Sequence, residues 1–191
     1  MIKYPNGQTV SPHKSDIDYS RRGMSLENDI NSSNNYYLET DKAVIHKKPT
    51  PITIVNVEYK SRATAKITEA YFQTPSTTDY NGVYRGRYLD FEAKETHSRT
   101  SMALSIIHPH QLRHLESCDR HGGISFLIVR FVAHDETYLV MASAFLAHLK
   151  NLEAKSVKYS WFQENGYLIP YNYSIPVDYL KVIDGIIDGG K

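Results

Sequence analysis

Three side chains in one short stretch have the right types to hydrolyse a phosphodiester. Asp79 lies in a Thr-Thr-Asp turn, and Glu92 and Lys94 follow as Glu-x-Lys. The run Tyr88 to Lys94 alternates, with Leu89, Phe91 and Ala93 on one face and Asp90, Glu92 and Lys94 on the other. That period predicts a strand. Two carboxylates and an ammonium can then converge beyond a sheet edge. Such a set holds Mg²⁺ against a phosphate and stabilises the charge that develops there. Glu-x-Lys also occurs at Glu58-Tyr59-Lys60 and Glu153-Ala154-Lys155. The first enters a basic turn and the second closes a helical run, so only Glu92 combines a clean alternation with an acid-bearing turn upstream. The competing reading is a polar strand face with an exposed ion pair, worth little in stability.

Other constellations are weaker. His110 and His114 are spaced to share a helix face, but Gln111 stands where a zinc protease needs glutamate. Histidines at a helix start also suit an anion. His46 beside Lys47 either touches a phosphate or merely finishes a strand. No nucleophile elbow, phosphate-binding loop or dinucleotide fingerprint is present. Cys118, the single cysteine, excludes an intramolecular disulfide and a four-cysteine zinc site, fits a reducing cytoplasm, and reads as packing.

These residues need a scaffold. The chain of 191 residues suits one domain, and 41% hydrophobic content is enough for a core. Fifteen tyrosines against one tryptophan suggest strands and a polar aromatic surface. Residues 1–20 read as a flexible arm. Ser25 caps a predicted helix over 25–38, and Glu27 falls in its first turn, where the dipole favours a carboxylate. Residues 43–46 form a strand, broken by Lys47-Lys48-Pro49-Thr50-Pro51. Two strand-like runs, 52–59 and 64–72, then suggest a hairpin or stalk outside the core. Its neighbourhood is basic. Lys42, Lys47, Lys48, Lys60, Arg62 and Lys66 stand against Glu58 alone, although the whole chain carries only +1. Such a patch either tracks phosphates or is an ordinary solvated hairpin.

Further along, residues 95–105 read as a loop. Pro109 opens a helix to Arg120 that ends at Gly122-Gly123. Residues 124–131 are a buried strand with a partner at 136–141. A helix is predicted at 143–152. Ser160 and Gln163 predict a capping box on a short helix stopped by Gly166, and 177–187 a last amphipathic helix. The order implies an α/β sandwich with a β-rich projection. The start Met1 to Gly7 has no apolar segment, and the run 124–133 contains Arg130 and is too short for a span, so no leader and no membrane are expected.

The chain closely resembles the RecU-type Holliday junction resolvases of low-GC Gram-positive bacteria. The matching stretches are residues 22–27, 43–51, 69–72, 75–82, 90–96, 108–111 and 166–171, collinear over about 21 to 180. The stretches 98–107 and 134–158 match only loosely. The resemblance implies a restriction-endonuclease-like α/β fold: a mixed sheet flanked by helices with a protruding β stalk. It implies one nuclease domain over 21–191, the stalk inserted at about 47–75. It implies a homodimer that nicks four-way DNA junctions with Mg²⁺, Mn²⁺ being the alternative ion, during recombination and repair in the cytoplasm. The family's metal ligands match Thr77, Asp79, Glu92 and Gln111, and Lys94 matches its transition-state stabiliser. The stalk would sit at the junction centre, and a recombinase and branch-migration proteins are implied partners. Two other readings compete: a duplex-cleaving nuclease of the same fold, and a non-catalytic DNA-binding modulator of a recombinase.

Overall fold

The computed structural model describes residues 25–59, 61, 64–73 and 77–189. The expected N-terminal arm, and Lys60 and Arg62 of the basic stretch, lie outside these.

Helix α1 (Leu26–Glu39) starts where expected, with Ser25 Oγ accepting the Asn28 N–H at 3.3 Å. Strand β1 (Val44–Lys47) follows, then β2 (Ile52–Glu58) and β3 (Lys66–Phe72). Strand β4 (Tyr80–Tyr84) turns directly into β5 (Arg87–Thr96). Arg85 and Gly86 make that turn with φ of 50° and 72°, the left-handed pair that a two-residue hairpin of matching twist requires. Arg85 reaches from the turn to Asp184 and Asp188 near the end of the chain. The remaining elements are β6 (Ser101–Ala103), α2 (Pro109–Arg120), β7 (Ile124–Phe131), β8 (Glu136–Met141), α3 (Ala142–Lys150), β9 (Ser156–Lys158), α4 (Tyr159–Asn165), β10 (Tyr167–Ile169) and α5 (Tyr179–Gly189).

Six strands form one mixed sheet in the order β1-β4-β5-β7-β8-β10. Among the described residues only β5 and β7 run parallel, joined through β6 and α2. One face packs against α1 and α5, with Ile30, Tyr37, Phe91, Phe126 and Tyr179 all buried. The other face packs against α2, α3 and α4 through Leu115, Val129, Phe131, Phe145 and Phe162. The expected mixed sheet flanked by helices is what forms. Strands β2 and β3 pair only with each other, and every residue in them is exposed, so they protrude. No helix among the described residues is long and apolar enough to cross a membrane.

Some expectations need correcting. Residues 95–105 are not a loop: β5 continues to Thr96, and β6 pairs with β9, burying Met102 completely. Three-residue strands carry no readable period. The expected capping box at Ser160 is absent. Helix α4 begins at Tyr159 with Lys158 as an N-cap that makes no side-chain bond, and Gln163 bonds the Tyr159 hydroxyl instead. The polar face of β5 is not solvated, because α2 covers it and leaves Asp90 and Glu92 with no exposure.

Candidate active site

Glu92 is the centre of the site. It projects from β5 toward α2, and three groups converge on its carboxylate. Lys94 Nζ lies 2.5 Å from Oε1. Gln111 Nε2 donates to the same oxygen at 2.5 Å, and the Asp79 backbone N–H donates to Oε2 at 3.1 Å. Each partner comes from a different device. Lys94 follows Glu92 on the same face of the strand. Asp79 immediately precedes β4, and the register Tyr80↔Phe91 places it opposite Glu92. Gln111 stands one turn into α2, after Pro109 at the first helical position. Its Oε1 accepts the His108 N–H at 2.8 Å, half of a capping box.

Of the five residues singled out, three therefore meet on a fourth, Glu92. Thr77 lies on the turn that carries Asp79, its hydroxyl 3.4 Å from the Thr78 carbonyl oxygen. Gln111 presents its amide NH₂, not its oxygen, to Glu92.

The surroundings of Glu92 disfavour its charged form. Burial and the neighbouring Asp79 carboxylate push the Glu92 carboxyl up to about 8, against the opposing pull of Lys94. His110 lies near Lys94 and is held below its ordinary value by burial and by the positive charges around it. Asp79 and Glu92 offer hard carboxylate oxygens of the kind Mg²⁺ takes. A divalent ion between them would remove the cost of ionising Glu92, so the donor set fits the expected metal. Beside Asp79, a cavity of about 200 Å³ is lined by Glu27 and Glu95. Glu27 therefore lies beside Asp79 as well as in the first turn of α1, and Lys47 Nζ pairs with it at 2.5 Å.

A second cluster had no signal in the sequence. Asp90 precedes Glu92 on the same strand face and is completely buried. Its Oδ2 accepts from Lys48 Nζ at 2.8 Å and from the Tyr88 hydroxyl at 2.8 Å, and lies 3.2 Å from His114 Nε2. The Thr78 hydroxyl donates to Oδ1 in a very short bond. Asp90, His114 and Cys118 have ligand atoms within 4.8 Å of one another, but the Lys48 ammonium already provides their positive charge. His110, spaced to share a helix face with His114, does not join them.

A family described as "Recombination protein U" matches residues 21–185 of this chain. The protein called Holliday junction resolvase RecU in Staphylococcus saprophyticus is 50% identical over 201 residues, covering 97% of this chain and 96% of the relative. The one so called in Oceanobacillus iheyensis is 50% identical over 193 residues, covering 96% and 98%. A solved structure of Archaeoglobus fulgidus Hjc, an archaeal Holliday junction resolvase, superposes with a TM-score of 0.41 at 8% identity over 71% of this chain and 92% of that one.

Proposed function

The chain belongs to the RecU family, and on that premise we propose that it is an endonuclease that resolves Holliday junctions by metal-dependent paired nicking. The observation that carries the chemistry is the convergence of Asp79, Lys94 and Gln111 on the buried Glu92 carboxylate.

Asp79 and Glu92 would hold Mg²⁺, with Mn²⁺ as the alternative, and Thr77 and Gln111 would complete the set with neutral oxygens. For Gln111 this requires its amide to turn round and release the His108 N–H. The ion, when bound, supplies an acidified water and positive charge against the phosphate. Lys94 holds an ammonium beside Glu92. Once a cation neutralises that carboxylate, the Lys94 charge is free to stabilise the phosphate oxygens as negative charge builds on them. Before its amide turns, Gln111 and the Asp79 N–H orient the Glu92 carboxylate, so it is already aimed when an ion arrives. Burial by α2 keeps the site partly dry, which strengthens each of these contacts.

A homodimer would bring two such sites to opposing strands of a four-way junction, whose near two-fold symmetry matches a two-fold protein. The exposed β2–β3 stalk would stand at the junction centre. This reading also carries the cytoplasmic setting and contacts with a recombinase and branch-migration proteins.

The test is to incubate the protein with a labelled immobile junction and the matching linear duplex, with Mg²⁺ or chelator. Paired, metal-dependent nicks confined to the junction are expected. Equal cutting of both would make it a general duplex nuclease. Binding without cutting would make it a DNA-binding modulator.

A further inference from the structure

Lys48 ends the run that leaves β1, and Pro49 and Pro51 follow before the stalk begins. It is the last residue before the stalk that the main body still holds. Two of its groups are engaged there. Its backbone N–H donates to the Asp79 carbonyl oxygen at 2.8 Å, which continues the β1–β4 ladder one step past Lys47↔Tyr80. Its ammonium donates to Asp90 Oδ2 at 2.8 Å and to Thr78 Oγ1 at 2.9 Å. Thr78 sits between Thr77 and Asp79, and Asp90 precedes Glu92 by two residues on one strand face. The pair therefore ties the turn carrying one carboxylate to the strand carrying the other. The Asp90 oxygens are not available for metal: the Thr78 hydroxyl, Tyr88 and Lys48 already occupy them, and His114 stands at 3.2 Å.

Burying such a pair is a poor way to gain stability, since desolvation offsets most of the Coulomb attraction. What it does supply is geometry. A charged pair with its remaining lone pairs satisfied has one arrangement, where an apolar contact tolerates several.

We propose that Lys48 and Asp90 are positioning residues: their buried ion pair clamps the Thr77–Asp79 turn onto β5, so that the spacing of Asp79 and Glu92 is set from the root of the stalk. The clamp rests on the nuclease reading above, but its effect on the carboxylates does not need DNA. A DNA-contacting lysine would lie open, whereas the Lys48 side chain is only 16% exposed.

The test compares wild type, Lys48→Met, Lys48→Arg and Asp90→Glu as full-length proteins. Two readings are made: Mn²⁺ affinity of the DNA-free protein by calorimetry, and kcat on the junction beside junction Kd in Ca²⁺. Misplacing a reacting group by about an ångström can cost on the order of a hundredfold. Lys48→Met is expected to weaken Mn²⁺ binding by about tenfold and to lower kcat by ten- to a hundredfold, roughly the cost of such a shift. Junction Kd should stay within about twofold, since phosphate contacts are untouched. Lys48→Arg should restore most of both losses.

If Lys48→Met does not fold, Asp90→Glu decides. It keeps the charges but shifts the clamp by one methylene, and the same split is expected. Unchanged Mn²⁺ affinity and kcat in a folded variant would overturn the proposal. So would a loss confined to junction Kd, which would make Lys48 a phosphate contact. If the wild type itself fails to nick the junction, the nuclease reading falls, while the Mn²⁺ titration still decides the clamp.

Discussion

Replacing Glu92 with glutamine should make the metal-free protein more stable, by an amount that grows with pH. In the unfolded chain the Glu92 carboxyl ionises in the ordinary range, near 4.5, whereas in the folded protein it holds its proton up to about 8. Between those values the native state binds the extra proton, so this group's contribution to stability falls as pH rises. The slope is roughly 1.4 kcal/mol per pH unit, so by pH 7 the folded wild type is penalised by about 3 kcal/mol, and above pH 8 the loss is complete. The Glu92→Gln side chain keeps the shape and cannot ionise. Subtracting wild type from variant cancels the titrating groups that are not coupled to Glu92. Urea unfolding in chelator at pH 5.5, 6.5 and 7.5 should show the gap widening by about 1.4 kcal/mol at each step. Adding Mg²⁺ should close the gap by stabilising wild type alone, because an ion that binds only the native state adds its binding energy to folding. A gap that stays constant with pH, or that narrows, would refute the claim that burial keeps Glu92 protonated.

Three further outcomes are expected. Asp79→Asn should abolish junction nicking while leaving junction binding intact in a gel-shift assay, if Asp79 holds the ion as proposed. Asp29→Ala should cost about 3–5 kcal/mol in urea unfolding, since it strands the buried Arg130 guanidinium that Asp29 meets at 2.6 Å. The Asp29→Ala/Arg130→Met double variant should recover most of that loss. Gly82→Ala should cost about 3 kcal/mol, because a Cβ there would lie 2.2 Å from the Val44 carbonyl oxygen and push β1 off the sheet.

The sequence announced its elements where one local rule sufficed. Helix α2 runs from Pro109 to Arg120 as expected, since proline opens it and Gly122, at φ 83°, follows its end. Strand β7 coincides with its apolar run. Strand β4 was hidden because Asn81-Gly82 looks like a turn, whereas Gly82 is there to let β1 approach, and the true turn is Arg85-Gly86. Asp79, Glu92 and Lys94 could be linked from their spacing because a hairpin connects them. Lys48 and Asp90 could not, because their meeting depends on a register between β1 and β4 that closes only after the whole stalk has been bypassed. The buried Asp29–Arg130 pair is invisible for the same reason: it joins a helix to a strand far along the chain.

The stalk has a consequence for how the molecule breathes. No residue of its two strands is fully buried, and a lone two-stranded ribbon is marginal in water. Its backbone amides should therefore exchange with solvent through local opening at little cost, while those of β5, β7 and β8 wait for global unfolding. Native-state amide exchange would divide the chain into a slow sheet and a fast ribbon, with the boundary at the prolines beyond Lys48. The ribbon would then acquire its order from whatever it binds, and some of the binding energy would be spent on that ordering.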